Sequence, residues 1–289
     1  MQEPTIVEAS KSPLARRAFL KNAGGAAAFA AAALAGGTQL LHAQGTSVID
    51  TPQEIFTAAL VAEDLACVFY YNVLTGPVIQ NVNLAGPGGS AKIIAPTGAA
   101  DNVGYMRAAL YEEFQHAQLF RQLLGSNSNA TDPFQTFYFN SAAFSDLTTF
   151  VNTLQALEDA FIGAYLAAIL EFSTLAAQGK TLTFGSQQFT PATLAYFAQV
   201  SATIMGVECE HRALGRSINP ILIPANNTVY ESTDGILSVF NGPNSAVAAL
   251  TPFITPGAGK TAYSLKPAHD FAYTVWDFVA GSIPTPPAS

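Results

Sequence analysis

Two phrases in this chain spell the same pattern. Glu113, His116, Leu119 and Arg121 give E-x-x-H-x-x-L-x-R, and Glu208, His211, Leu214 and Arg216 repeat it at an offset of 95 residues. Residues i and i+3 share a helix face, so each Glu–His pair can aim at one point. The same offset pairs Glu63-Asp64 with Glu158-Asp159, and Tyr70 with Tyr165. One Glu from each of these further segments completes a set: Glu63, Glu113, His116, Glu158, Glu208 and His211. Four carboxylates balance two divalent cations. Six polar groups buried in a core without such ions would be costly. Hard oxygen and imidazole donors suit Fe or Mn better than a metal that prefers thiolate. The expectation is two Fe or Mn ions per chain.

Four long apolar-periodic segments must hold these residues: about Thr51 to Leu74, Asp101 to Leu124, Asp146 to Gln178, and Thr190 to Ile218. Thr51-Pro52 with Glu54, and Thr190-Pro191, are helix starts; Gly125, Gly179 and Pro220 are stops. Helices of this length predict an all-α four-helix bundle. The Gly/Pro/Asn/Ser-rich loops at 86–98 and 125–133 separate segments, and 125–145 is long enough to cross the length of a bundle.

At these residues the chain resembles the ferritin-like superfamily of di-iron and di-manganese carboxylate bundles. Its loop-rich form looks most like the ferritin-like domain of desiccation-related proteins. The resemblance covers about residues 50–218. It implies that Glu63, Glu113, His116, Glu158, Glu208 and His211 are metal ligands, with Glu113 and Glu208 as bridges. Bacterioferritins, manganese catalases and the small subunit of ribonucleotide reductase share variations of the set, so it implies a site and not one reaction. The loops and the segment after residue 218 do not suit a 24-subunit shell; a smaller homo-oligomer stays open.

Around this set, Asp64 and Asp159 are candidates to orient His116 and His211, since a metal-bound His usually donates its other ring N–H to a carboxylate or carbonyl. Tyr70 and Tyr165 stand two helical turns past Glu63 and Glu158. They either pack in the core or line a path for a small oxidant or an electron. Arg121 and Arg216 are expected to close the bundle end through ion pairs. Cys67 and Cys209 are expected to be core thiols, with a disulfide between the first and fourth helices as the alternative. His269, without a partner motif, is expected at the surface or in a loop.

Residues 1–43 form the first of three expected parts. Lys11, Arg16, Arg17 and Lys21 precede an Ala/Gly-rich stretch and the small-residue site Leu41-His42-Ala43. This resembles a twin-arginine export signal, implying a periplasmic or extracellular protein. The bundle follows at 44–218, then a loop-rich extension at 219–289 with one short helix after Pro267. No later segment has 18 consecutive apolar residues, so no membrane span is expected in the mature chain.

The chain has 289 residues, 12 Lys+Arg and 20 Asp+Glu, a formal net charge of -8. Such an acidic balance argues against a nucleic-acid partner, which needs cations against its phosphates. Partners are therefore expected to be a small oxidant or a metal ion. Two functions fit: redox chemistry of a dinuclear centre with O2 or peroxide in stress protection, or a non-catalytic protective or metal-sequestering role. A bundle without metals, serving as an interaction module, fits the six ligand types less well.

Overall fold

The helices begin and end where local chemistry leaves no better option. In α1 (Pro52–Thr75), Thr51 and Glu54 form a reciprocal capping box and Pro52 occupies the first turn. There its missing N–H costs nothing. α2 spans Asn102–Leu123. It closes with amides of Gly125 and Ser126 donating back to Gln122 and Arg121, a wrap that places Gly125 at φ 80°, where a glycine avoids the Cβ clash. α3 (Leu147–Ala177) is capped by Asp146, whose carboxylate accepts from the Thr149 amide at 2.8 Å. α4 (Pro191–Ile218) starts under Thr190, whose hydroxyl accepts from the Thr193 amide. The computed structural model describes residues 49–81, 84, 102–184, 187–218 and 246–279. The four helices match the expected segments within one residue at each end.

Pair contacts fix the directions. Phe56 of α1 meets Phe120 near the end of α2 (ring centroids 6.1 Å apart), so α1 and α2 are antiparallel. Phe172 and Phe197 relate α3 and α4 in the same way. Tyr70 bonds Glu158 while Tyr165 bonds Glu63, which makes α1 and α3 antiparallel as well. Hence α2 and α3 run parallel, and the segment between them must travel the length of the bundle. It does so through β1 (Thr136–Phe139) and two single 3-10 turns.

Among the described residues the core has two apolar clusters with polar groups between them. One, around Phe69, Leu110, Phe150 and Leu154, is covered by Phe137 and Phe139 of β1. The other gathers Phe56, Phe120, Phe172, Phe189 and Phe197. On α2, α3 and α4 the first cluster ends and the second begins where the candidate ligands stand. Fully burying each such phenyl ring contributes ~1.5–3 kcal/mol, so apolar packing braces the bundle on both sides of the polar middle. By length and composition α1 and α3 could cross a membrane (mean hydropathy 1.3 and 1.7), yet 83 % of the apolar window of α1 is buried in the bundle.

Several elements go beyond the expectation. β2 (Leu182–Phe184) and β3 (Gln187–Phe189) form a small hairpin before α4. Within the extension, expected to hold one short helix, stand α5 (Ala246–Ile254), β4 (Thr261–Ser264) and α6 (Leu265–Val279). α6 begins before Pro267, because a proline in the first turn forfeits no intrahelical bond. β4 pairs antiparallel with β1, Phe137 opposite Tyr263, so the extension is fastened to the crossing segment. The expected leader, the 86–98 loop and residues 219–245 lie outside the described residues.

Candidate metal centre

The structure brings all six predicted side chains together, one Glu from α1, one from α3, and a Glu–His pair from each of α2 and α4. Their ligand atoms fall into two overlapping groups: Glu63, Glu113, His116 and Glu208, and Glu113, Glu158, Glu208 and His211. Glu113 and Glu208 belong to both, as bridging carboxylates would. Each group lies within 4.8 Å. Nδ1 of His116 is 3.2 Å from Glu63, 3.6 Å from Glu113 and 3.7 Å from Glu208. Nδ1 of His211 is 2.9 Å from Glu113, 3.4 Å from Glu208 and 4.0 Å from Glu158. Around an ion with bonds of ~2.1 Å, adjacent donors stand ~3 Å apart and opposed donors ~4.2 Å. The observed spacings fall in that range.

Hydrogen bonding alone leaves this cluster unsatisfied. Both oxygens of Glu113 and of Glu208, one of Glu158, and Nδ1 of His211 are buried without a hydrogen-bond partner. The 2.9 Å approach of His211 to Glu113 is thus close without being aligned as a hydrogen bond. Such groups cost ~1–3 kcal/mol each when unpaired. Burial, foremost, pushes the Glu113, Glu158 and Glu208 carboxyls above the usual range. Burial disfavours charge on His116 and His211 too, yet Glu63 beside His116 and Glu113 beside His211 lead the carboxylates that raise both well above the ordinary value. The cluster therefore calls for positive charge at its centre, which metal ions fit and apolar packing cannot supply.

Two tyrosines cross the bundle to the outer carboxylates. The Tyr70 hydroxyl donates to Glu158 at 2.7 Å, and the Tyr165 hydroxyl donates to Glu63. Burial, then the carboxylate each one faces, raises both phenols well above their usual pKa, so they stay protonated donors. They are core residues and carboxylate partners at once.

The predicted role of the two aspartates is corrected. Asp64 does not orient His116: it accepts from Arg121 at 3.3 Å and lies 3.0 Å from Nε2 of His269. Asp159 does not orient His211: it pairs with Arg212 at 2.5 Å and accepts from Gln155 at 3.2 Å. One position along a helix turns the side chain by ~100°, which aims both aspartates past the centre at neighbouring arginines. The group that does reach a histidine is Glu112, whose Oε2 is 2.9 Å from Nε2 of His211. Its equivalent at the 95-residue offset is Val207, so the repeat that exposed the candidate ligands concealed this partner. The only sequence signal was a second Glu next to Glu113.

His269 is also corrected. Expected at the surface, it is fully buried, edge-on to Phe114, in a group with Asp64 and Asp132. Arg121 is the resident cation there. It holds Asp132 through two nitrogens at 2.6–3.0 Å and reaches Asp64 with one of them. With both aspartates engaged by a guanidinium, this third group forms an ion-pair network and is set apart from the candidate metal centre. Burial, more than the lowering influence of Arg121, pushes Asp64 up to about 7 and, likewise the leading cause, His269 down to about 4. Arg121 is thus an inner residue, not the expected end closure. Arg216 adds its charge to the field at Asp159. Cys67 and Cys209 are free thiols; burial, then Asp64, keeps the Cys67 thiol protonated.

Residues 51–190 match the family model of the ferritin-like domain. The bundle is ferritin-like. The match takes in α1, α2 and α3 of the ferritin-like bundle with Glu63, Glu113, His116 and Glu158, and ends just before α4, whose Glu208 and His211 are placed by the geometry alone. No curated protein and no solved structure matches the chain.

Proposed function

We propose that this ferritin-like bundle holds about two Fe or Mn ions per chain. Glu63 and His116 would serve one ion, Glu158 and His211 the other, with Glu113 and Glu208 shared. The observation that carries this reading is the pair of overlapping buried groups with two shared carboxylates. Bound ions of this kind supply electron transfer to O2 or peroxide, and stress protection by such redox chemistry is the function we favour. The chain's own residues prepare the site. Tyr70 and Tyr165 hold Glu158 and Glu63 in place by hydrogen bonds. The aromatic clusters on both sides exclude bulk water, which strengthens every electrostatic interaction inside. Residues 1–43 are proposed as a twin-arginine export signal, so that the folded protein would carry its metal to the periplasm or beyond.

A second reading is protective and non-catalytic, in line with the resemblance to desiccation-related proteins. It is favoured by the depth of the site: the most exposed of the six side chains is His116, at 13 %. Metal analysis of the exported protein, beside a Glu113→Ala/His211→Ala variant, tests the centre. About two Fe or Mn ions per chain, lost in the variant, are expected; equal metal in both would overturn the assignment. Peroxide consumption or ferrous-ion oxidation by the loaded protein selects the redox reading, and metal without turnover selects sequestration.

A further inference from the structure

The six candidate ligands and their two tyrosine partners are arranged alike in the two halves, and one difference beside them bears on a candidate metal-binding histidine. Nε2 of His211 faces the Glu112 carboxylate at 2.9 Å, leaving Nδ1 turned toward Glu113, Glu158 and Glu208. Once an ion takes Nδ1, a carboxylate in that position holds the remaining proton on Nε2 and keeps the ring turned with Nδ1 inward. The repeat places Val207 where His116 would need the same partner, and an isopropyl group cannot accept a hydrogen bond. The burial of the two groups differs in the same sense. Every residue of the His211 group is buried, whereas His116 is partly exposed.

We infer that the two halves bind metal unequally, with the His211 half loaded first and held tightly and the His116 half filled second and exchangeable. This rests on the dinuclear reading above. Glu112 acts here as a positioning residue: it works through His211 and touches no ion. Losing such a partner typically lowers metal affinity 10–100-fold. With 43 % of its side chain exposed, Glu112 can be replaced without opening the core.

The test is an anaerobic Mn(II) titration of the full chain, by calorimetry and by electron paramagnetic resonance. Wild type should show two resolved affinities. At one equivalent of Mn(II) it should give the spectrum of an isolated ion, and a spin-coupled pair should appear only on further addition. Glu112→Ala should weaken the tighter step about 10–100-fold and leave the weaker step unchanged, with Glu112→Gln, which retains an acceptor, falling between. Val207→Glu should strengthen the weaker step. A merely structural role for Glu112 would shift both steps together, and that result overturns the inference. So does a spin-coupled pair at one equivalent in wild type, since it means the halves fill together. In both of these cases the dinuclear centre itself survives, whereas absence of Mn(II) uptake by wild type overturns the centre and the inequality with it.

Discussion

Removing one oxygen atom at Tyr165, by Tyr165→Phe, takes from Glu63 the hydroxyl that meets its buried carboxylate. Tyr70→Phe does the same to Glu158. Each replacement should cost the metal-free protein ~1–3 kcal/mol, read as an earlier midpoint in urea with chelator present. Midpoints identical to wild type would reduce both hydroxyls to packing atoms. Glu171 offers a cleaner titration, because it lies on α3 away from the centre. It is 2 % exposed, and burial, opposed by the Asp50 backbone amide, pushes its pKa up to about 7. Its folded-state pKa lies above the value in the unfolded chain, so the folded protein keeps a proton that the unfolded chain releases. That contribution is full at low pH and is lost as pH rises through about 7. Glu171→Gln should therefore gain stability over wild type at pH 8, by at most ~3 kcal/mol, and gain little near pH 5. Thermal melts across that interval decide it; a gain independent of pH would place the cause elsewhere.

Among the elements, α6 is the one whose attachment is most specific. Its His269 reaches Asp64 on α1 and packs edge-on against Phe114 of α2, while Leu265, Ala268 and Ala272 enter the apolar cluster. His269→Ala leaves a cavity and one fewer partner for a buried carboxylate, a loss of ~2–4 kcal/mol. Chemical denaturation should register it, and limited proteolysis should cut α6 sooner than the bundle. Wild-type resistance in both assays would show that the apolar contacts of α6 and the strand pairing of β4 secure the extension without His269. The contrast between α6 and the main helices also explains how far the sequence could be followed. The helices were legible because caps, glycine stops and apolar periodicity all act within a few residues. The six candidate ligands, which the structure brings together, could be picked out because the chain states them twice. Glu112, Asp132 and His269 have no second statement: they meet their partners through tertiary contacts, and Asp132 and His269 reach the network from an irregular crossing and from beyond α4. Asp64 and Asp159 misled for a related reason. Their repetition marks a shared structural role, but the repetition does not say which neighbour they face. The short strands β1 and β4 escaped notice because four residues carry little periodicity, and their pairing joins segments more than a hundred residues apart.

For the whole molecule, stability and metal content should be inseparable. An ion that binds the folded chain and not the unfolded one stabilises it by ~2.7 kcal/mol when present at a hundredfold its Kd. Adding Mn(II) or Fe(II) should raise the melting temperature of wild type, chelator should lower it, and the Glu113→Ala/His211→Ala protein should respond to neither. A wild-type melt indifferent to metal would mean that the buried charges are satisfied without it. The crossing segment carries a further consequence. Each candidate metal group draws three residues from one half of the chain and one from the other: Glu208 joins Glu63, Glu113 and His116, and Glu113 joins Glu158, Glu208 and His211. Two separate copies of the α1–α2 hairpin would carry the same four carboxylates and two imidazoles, but they would have to find one another by diffusion, and dilution would empty the site. Joining the halves through 124–146 makes the encounter intramolecular, at the millimolar effective concentration that a short tether imposes. Assembly of the centre then becomes indifferent to how scarce the protein is.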